Sequence, residues 1–225
     1  MRSLNIKAFG GLIFLLLVMT LIIFISAGSL NYWQGWSFLA VFGGSALIIT
    51  LYLMKKDPRL LERRVQAGPT AEKGKIEKII QSIASLGFIG MLLVPALGYR
   101  FHWATVSFPL EIVGDFLVAL GFLIIFFVFK ENSFASGTIE IAKDQKVIST
   151  GLYALVRHPM YFGALFLFIG MSLSLGSWWS LLVYLIIMPA LIWRLFDEEN
   201  LLTKKLPGYS EYRRKVKYHL IPYIW

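Results

Sequence analysis

Four long stretches of the chain contain no Lys, Arg, Asp or Glu, and they constrain the fold more than any other feature of the sequence. They are Ala8–Met54, Ile79–Tyr99, Phe116–Phe129 and His158–Trp193. An apolar stretch of about 20 residues spans a bilayer as a helix, because a helix satisfies its own backbone hydrogen bonds within lipid. Only 16% of the residues are charged, whereas soluble domains have about 25%. The pattern predicts an integral membrane protein built from helices.

Six transmembrane helices fit into these stretches, and an amphipathic helix on the membrane surface is predicted within Leu201–Trp225. Only Gly176 and Ser177 separate the last two spans, so these should form an antiparallel hairpin. We predict an all-α polytopic fold with two parts, an N-terminal four-span region (1–130) and a C-terminal region with the hairpin and the tail (131–225). The predicted spans are Ala8–Gly28, Gly35–Met54, Ile76–Leu97, Pro109–Phe129, Pro159–Leu175 and Trp178–Leu195. The first apolar run also resembles a signal peptide, but it exceeds the length of a signal peptide's apolar segment.

Basic residues are distributed very unevenly between the two sides of this topology. The N-terminus, Lys55–Lys78, Lys130–Arg157 and the segment from Arg194 onward hold 2, 8, 4 and 7 of the 22 Lys and Arg residues. All four segments lie on one side, and Arg100 alone lies on the other. The positive-inside rule therefore predicts cytoplasmic termini. Aromatic residues at the opposite boundaries are predicted to be interfacial anchors: Tyr32, Trp33, Trp36, Trp103, Trp178 and Trp179.

The composition also excludes several kinds of chemistry. The chain has no cysteine, so it has no disulfide, no thiolate metal site and no cysteine nucleophile. Its net charge of +9 is explained by orientation and by contact with anionic lipid, and no nucleic-acid-binding motif accompanies it. Asp115 falls within the fourth predicted span. It is expected either to face a polar partner inside the membrane or to lie at the interface beside Glu111.

The segment Gln145–Gly163, QKVISTGLYALVRHPMYFG, precedes the hairpin and differs from the rest of the chain in polarity. Pro159 suits the first position of a helix, and the following free N–H groups favour an anion. The hairpin returns the chain to the same membrane face, where RLFDEE (194–199) follows. The two ends of the hairpin thus bring a polar cluster together: Arg157, His158, Tyr161, Arg194, Asp197, Glu198 and Glu199. The alternative is an ordinary solvated helix end with weak ion pairs.

This pattern resembles the isoprenylcysteine carboxyl methyltransferase family and the related phospholipid N-methylating enzymes of membranes. The resemblance extends from about Asn132 to the C-terminus. The chain matches the family's Arg-His-Pro-x-Tyr-x-Gly motif, which is followed by a helical hairpin and then a Glu-Glu pair. It also matches a Gly-x-Tyr before this motif and a Pro-Gly-Tyr-x-x-Tyr after the Glu-Glu pair. The matching residues are Arg157, His158, Pro159, Tyr161, Gly163, Glu198 and Glu199, with Gly151, Tyr153 and Pro207–Tyr212.

The resemblance implies a methyltransferase that binds S-adenosylmethionine on the cytoplasmic side and acts on a lipid-like or prenylated acceptor from the bilayer. Arg194 is implied as the catalytic residue that contacts the acceptor, and no metal is implied. Gln145 stands where prenylcysteine enzymes often have histidine, which weakens the inference of a prenylcysteine acceptor more than that of the cofactor. The implied cofactor contacts are Gln145, Lys146, Val147, Ile148, Tyr153, His158, Pro159, Met160, Tyr161 and Glu198.

Other functions are compatible with the same pattern. The acceptor could be a lipid headgroup methylated on nitrogen, or the protein could be a membrane reductase that uses a nicotinamide cofactor. A transporter or assembly factor with a vestigial pocket is a third possibility, although the broken or charged spans typical of transporters are nearly absent. The sequence does not define the oligomeric state.

Overall fold

The all-α fold predicted from the sequence is confirmed. The computed structural model describes residues 2–103 and 105–225, without the side chain of Arg2. Within these ranges no strand forms beyond an isolated bridge between Thr105 and Ser177. A 3-10 turn, Gly151–Ala154, precedes the hairpin. The helices are α1 (Arg2–Ala27), α2 (Trp33–Lys56), α3 (Pro58–Val65), α4 (Lys75–Arg100), α5 (Phe108–Glu131), α6 (Pro159–Ser174), α7 (Trp178–Lys205) and α8 (Tyr209–Lys215).

Five helices, α1, α2, α4, α5 and α7, are long and apolar enough to cross a membrane. The fifth predicted span corresponds to α6, which has 16 residues and is therefore about 24 Å long. This is shorter than the hydrocarbon core of about 30 Å. Helix α7 continues past its predicted end at Leu195 to Lys205. The motif residues that follow Arg194 therefore lie on a continuous helix.

Glycines allow α5 and α6 to pack with almost no space between their backbones. A Cβ on Gly170 would lie 2.6 Å from the backbone nitrogen of Val118, and a Cβ on Gly114 would lie 2.2 Å from that of Ser174. A Cβ on Gly163 would lie 3.0 Å from the carbonyl oxygen of Gly121. The motif glycine Gly163 is therefore a point where α5 and α6 approach closely.

The loops that carry most of the basic residues meet at one end of the bundle. Lys73, between α3 and α4, lies 2.8 Å from Glu140 in the loop before α6. The C-terminal tail joins the same end through Arg157. At the opposite end, the rings of Trp103 and Trp179 lie 6.4 Å apart. The two ends therefore match the predicted distribution of basic and aromatic residues, and the cytoplasmic orientation of the basic end stays a prediction.

Polar residues near the aromatic end are satisfied inside the bundle. Asp115 accepts hydrogen bonds from Ser37 of α2 and Ser174 of α6. Of the two expectations for Asp115, the intramembrane partner is therefore the one that the structure supports. The prediction that Tyr32 is an interfacial anchor is wrong, because this side chain is buried and its hydroxyl donates to the carbonyl oxygen of Leu175.

The tail does not form the single amphipathic helix expected within Leu201–Trp225. Helix α7 ends at Lys205, and Gly208 has a φ of 83° before the short helix α8 begins at Tyr209. A left-handed glycine of this kind interrupts a helix at little steric cost. Residues 216–225 contain no helix, and a turn forms at 222–224. The reason for this arrangement is a set of contacts with the start of α6, described below.

Candidate active site

One cavity of about 860 Å³ occupies the basic end of the bundle and extends into its interior. A volume of this size suits a cofactor together with part of a second ligand. The wall near the loops is polar, and the wall between the helices is apolar. The polar wall includes Arg64, Gln145, Arg157, His158, Tyr161, Arg194 and Glu198. The apolar wall includes Leu15, Met19, Phe42, Phe88, Leu92, Phe122, Leu167, Phe168 and Met188.

Nine of the ten cofactor residues inferred from the sequence line this cavity, as does Arg194. The exception is Pro159, a buried residue that begins α6. The residues come from three separate segments: 145–148 before the hairpin, 153–161 at its start, and 194–198 near its end. The tail also contributes to the wall. The lining residues that follow the end of α7 are Leu206, Tyr209, Tyr212, Leu220, Ile221 and Trp225.

Glu198 and Tyr161 form a direct link between α7 and α6. The hydroxyl of Tyr161 donates to Oε2 of Glu198 across 3.0 Å. Both side chains line the cavity. Glu198 therefore presents a carboxylate to the cavity from a fixed position, where it could complement a cation or accept hydrogen bonds from hydroxyl groups.

Tyr153 also lines the cavity and is held in place by two neighbours. Nδ2 of Asn132 donates to the Tyr153 hydroxyl across 2.8 Å, and the Tyr212 hydroxyl donates to the backbone oxygen of Tyr153 across 2.7 Å. Burial raises the pKa of Tyr153 and of Tyr212, so both phenols stay neutral. Tyr153 thus contributes a flat, uncharged surface to the wall, of the kind that can stack on an aromatic ring.

Glu199 has a different role from its neighbour Glu198. Its side chain is 5% exposed, and its oxygens lie 3.0 Å from Nη2 of Arg157, 2.9 Å from Nδ1 of His219 and 3.1 Å from Nε of Arg213. The contacts to Oε1 are ionic, since no N–H is well aligned with it. Adjacent helical residues point about 100° apart, so Glu199 faces the tail and is absent from the cavity wall.

The tail pairs with the start of the hairpin through backbone as well as side chains. The N–H groups of Arg157 and His158 donate to the carbonyl oxygens of Tyr218 and His219 across 2.9 and 3.0 Å. Nη1 of Arg157 donates to the carbonyl of Val216 across 2.8 Å. Burial and then the charge of Arg157 lower the pKa of His219, so its imidazole is neutral at pH 7. The motif arginine therefore organises the tail, although it also lines the cavity.

Arg194 is paired with a residue that the sequence analysis did not identify. Its Nη2 lies 2.8 Å from Oε1 of Glu72 and donates to the carbonyl oxygen of Gly137 across 3.1 Å. Glu198 lies one helical turn from Arg194, but the two do not form one of the ion pairs of the described residues. The Arg194 side chain is 11% exposed and Glu72 is 1% exposed. A solvated helix end is therefore not what the structure shows.

Arg64 of α3 is the second residue that sequence reasoning missed. Its Nη1 donates to the carbonyl oxygen of Ser136 across 3.0 Å, and its guanidinium lies 5.0 Å from the ring centroid of Phe129. Burial, followed by the nearby charge of Arg194, lowers the pKa of Arg64 to about 10. No motif in the sequence distinguishes Arg64 from the other basic residues of Lys55–Lys78.

Comparison with known proteins agrees with the motif. Residues 110–208 match the family model for phospholipid methyltransferase. Protein-S-isoprenylcysteine O-methyltransferase of Schizosaccharomyces pombe is 31% identical over 80 residues. The matched region is therefore similar to the isoprenylcysteine and phospholipid methyltransferases. The matched residues are 33% of this chain and 32% of the yeast enzyme, so the chain spans about a third of that curated relative. No solved structure gives a significant match.

The family match covers α5, α6, α7 and the loops between them. It therefore includes every cofactor residue inferred from the sequence, as well as Arg194. Arg64 and Glu72 lie outside it, although they contact residues within it. The resemblance inferred from the motif is thus confirmed, whereas the roles of individual residues are proposals.

Proposed function

We propose that this protein is a membrane-embedded, S-adenosylmethionine-dependent methyltransferase that acts on a lipid-like or prenylated acceptor. The observation that carries the proposal is that three separated segments of the motif line one cavity, whose polar wall continues into an apolar one. The match to methyltransferases supports the same reaction class. The membrane face that holds the site is proposed to be the cytoplasmic one.

The residues present suit this cofactor chemically. S-adenosylmethionine, when bound, supplies a methyl group on a positively charged sulfur, and this group passes to a lone pair of the acceptor. Glu198 would complement the positive charge and accept hydrogen bonds from amino or hydroxyl groups. Tyr153 and the segment 145–148 would hold the uncharged part of the cofactor, and the N–H of Met160 at the start of α6 would hold its carboxylate. The N–H of Tyr161 already donates to the carbonyl oxygen of His158.

Arg194 is proposed to orient the acceptor. A carboxylate oxygen attacks without losing a proton, whereas an ammonium group must first release one. In-line displacement depends chiefly on positioning and on the exclusion of water, and the buried Glu72–Arg194 pair offers a rigid contact for this purpose. Leu15 of α1 and Ile89 of α4 line the cavity and are 38% and 43% exposed. They support entry of an apolar chain from the bilayer between these two helices.

Transfer of a radiolabelled methyl group tests this proposal. Purified protein in lipid vesicles is given labelled S-adenosylmethionine with N-acetyl-S-farnesylcysteine, phosphatidylethanolamine or a short water-soluble thioether acid. We expect label in one of the lipid-like acceptors and little in the soluble one. Equal turnover of the soluble acid would contradict lateral entry, and binding of a nicotinamide dinucleotide without S-adenosylmethionine would favour a reductase.

A further inference from the structure

Two guanidinium groups meet on neighbouring backbone carbonyls at the polar end of the cavity. Arg64 donates to the carbonyl of Ser136, and Arg194 donates to that of Gly137. Consecutive Cα atoms are only about 3.8 Å apart, so both cations are held against the same short piece of loop. Both side chains line the cavity.

Of the two arginines, only Arg194 has a carboxylate beside it in the part of the chain that the structure describes. Glu72 lies 2.8 Å from Arg194. In the part of the chain that the structure describes, no carboxylate lies within salt-bridge distance of Arg64, whose partners are a carbonyl, an aromatic ring and the sulfur of Met160. A partly buried cation without an anion is unfavourable, and an anionic ligand would stabilise it. The lowered pKa of Arg64 has the same physical origin.

Further charge in the cavity strengthens this reasoning. Arg64 and Arg194 are balanced by Glu72 and Glu198, and the bound cofactor would add a net positive charge. Nη1 of Arg194 is buried and has no hydrogen-bond partner among the described residues. With the cofactor bound, the site would therefore have an excess of positive charge, in addition to the free guanidinium donor of Arg194. Guanidinium groups bind carboxylate and phosphate in planar, bidentate geometry.

We propose that Arg64 and Arg194 together form a subsite for an anionic group on the head of the acceptor, either a carboxylate or a phosphate. This proposal rests on the proposed function, and it adds a residue from outside the family match to the site. The guanidinium of Arg64 contacts the acceptor's anion, and its contact with Ser136 keeps it aimed at the same point as Arg194. An acceptor with a neutral head lacks this contact and binds weakly.

Equilibrium binding to the complete protein in detergent tests the subsite. The probes are N-acetyl-S-farnesylcysteine, its neutral carboxamide and phosphatidylethanolamine, with S-adenosylmethionine titrated separately. We expect Arg64→Gln to weaken the binding of whichever carboxylate- or phosphate-bearing probe binds to the wild type. The affinity should fall about ten- to a hundredfold, as for a lost charge-assisted hydrogen bond. Binding of the carboxamide and of the cofactor should stay within about twofold of wild type.

Arg63→Gln is the matched control, because Arg63 also donates to a carbonyl of the same loop, that of Ser133, and lies over Phe134, yet it is absent from the cavity wall. Arg64→Lys keeps the charge and should recover part of the affinity, which guards against a folding defect in Arg64→Gln.

A loss of cofactor affinity with unchanged acceptor binding would assign Arg64 to the cofactor's carboxylate and overturn the proposal. So would equal binding of the carboxamide and the anionic probes by the wild type. A wild type that binds the anionic probe through Arg64 but not S-adenosylmethionine would instead reject the proposed function alone.

Discussion

Oε1 of Glu199 lies 3.0 Å from Nη2 of Arg157, and both side chains are almost fully buried. This ion pair joins the end of α7 to the segment that enters α6. His219 and Arg213 of the tail contact the same carboxylate. The tail in turn supplies Leu220, Ile221 and Trp225 to the cavity wall. The integrity of the cavity therefore depends on a carboxylate that does not line it.

Removal of this carboxylate should release the tail. Glu199→Gln leaves Arg157 buried without a charge partner, and breaking a buried pair in this way costs about 3–5 kcal/mol. We expect a lower thermal unfolding midpoint in detergent and faster tryptic cleavage at Lys215 and Lys217. Glu211→Gln on the exposed face of α8 is the control and should behave as wild type. Unchanged cleavage in Glu199→Gln would show that the backbone pairing holds the tail by itself.

The close packing of α5 against α6 should be intolerant of a single methyl group. In Gly170→Ala the new Cβ would lie 2.6 Å from the backbone nitrogen of Val118, so the helices must separate. Overpacking of this kind typically costs about 1–3 kcal/mol. Gly44→Ala is the matched control, because nothing lies within 4 Å of its Cβ position, and this change should stabilise α2 by about 0.5–1 kcal/mol. Urea unfolding in mixed micelles compares the two variants. Equal stability would mean that α5 and α6 are less closely packed than described.

The orientation of the bundle can be measured directly on a chain without native cysteines. Gln66 lies at the basic end and Ser107 at the aromatic end, and both are exposed. We expect Gln66→Cys to be protected from a membrane-impermeant maleimide in intact cells and Ser107→Cys to be labelled. Labelling of position 66 from outside would reverse the orientation and place the cavity on the other face of the membrane.

The helices and the motif residues that line the cavity could be predicted because the information is local. Charge-free stretches indicate spans, and the motif places Tyr153, His158, Tyr161 and Glu198 on either side of one short hairpin. Arg64 and Glu72 could not be predicted, because Arg64 reaches the cavity, and Glu72 reaches Arg194, through the packing of the segment 57–74 on the loop 132–148. Local spacing carries no information about such contacts.

The different contacts of Glu198 and Glu199 could not be predicted from the sequence either. Both belong to the motif, and both were expected in one polar cluster. Their side chains point in different directions on α7, and only the position of the tail determines which one faces the cavity. The interruption of the tail at Gly208 follows from the same contacts, since a continuous helix could not bring residues 216–219 beside Arg157.

The most direct test of the account is calorimetric titration of S-adenosylmethionine into the purified protein without any acceptor. We predict that the wild type binds it, that Glu198→Gln binds it about ten- to a hundredfold more weakly through loss of a charge-assisted hydrogen bond, and that Arg194→Ala binds it nearly as the wild type does. No heat of binding in the wild type, or wild-type affinity in Glu198→Gln, would contradict the assignment of this cavity to the cofactor.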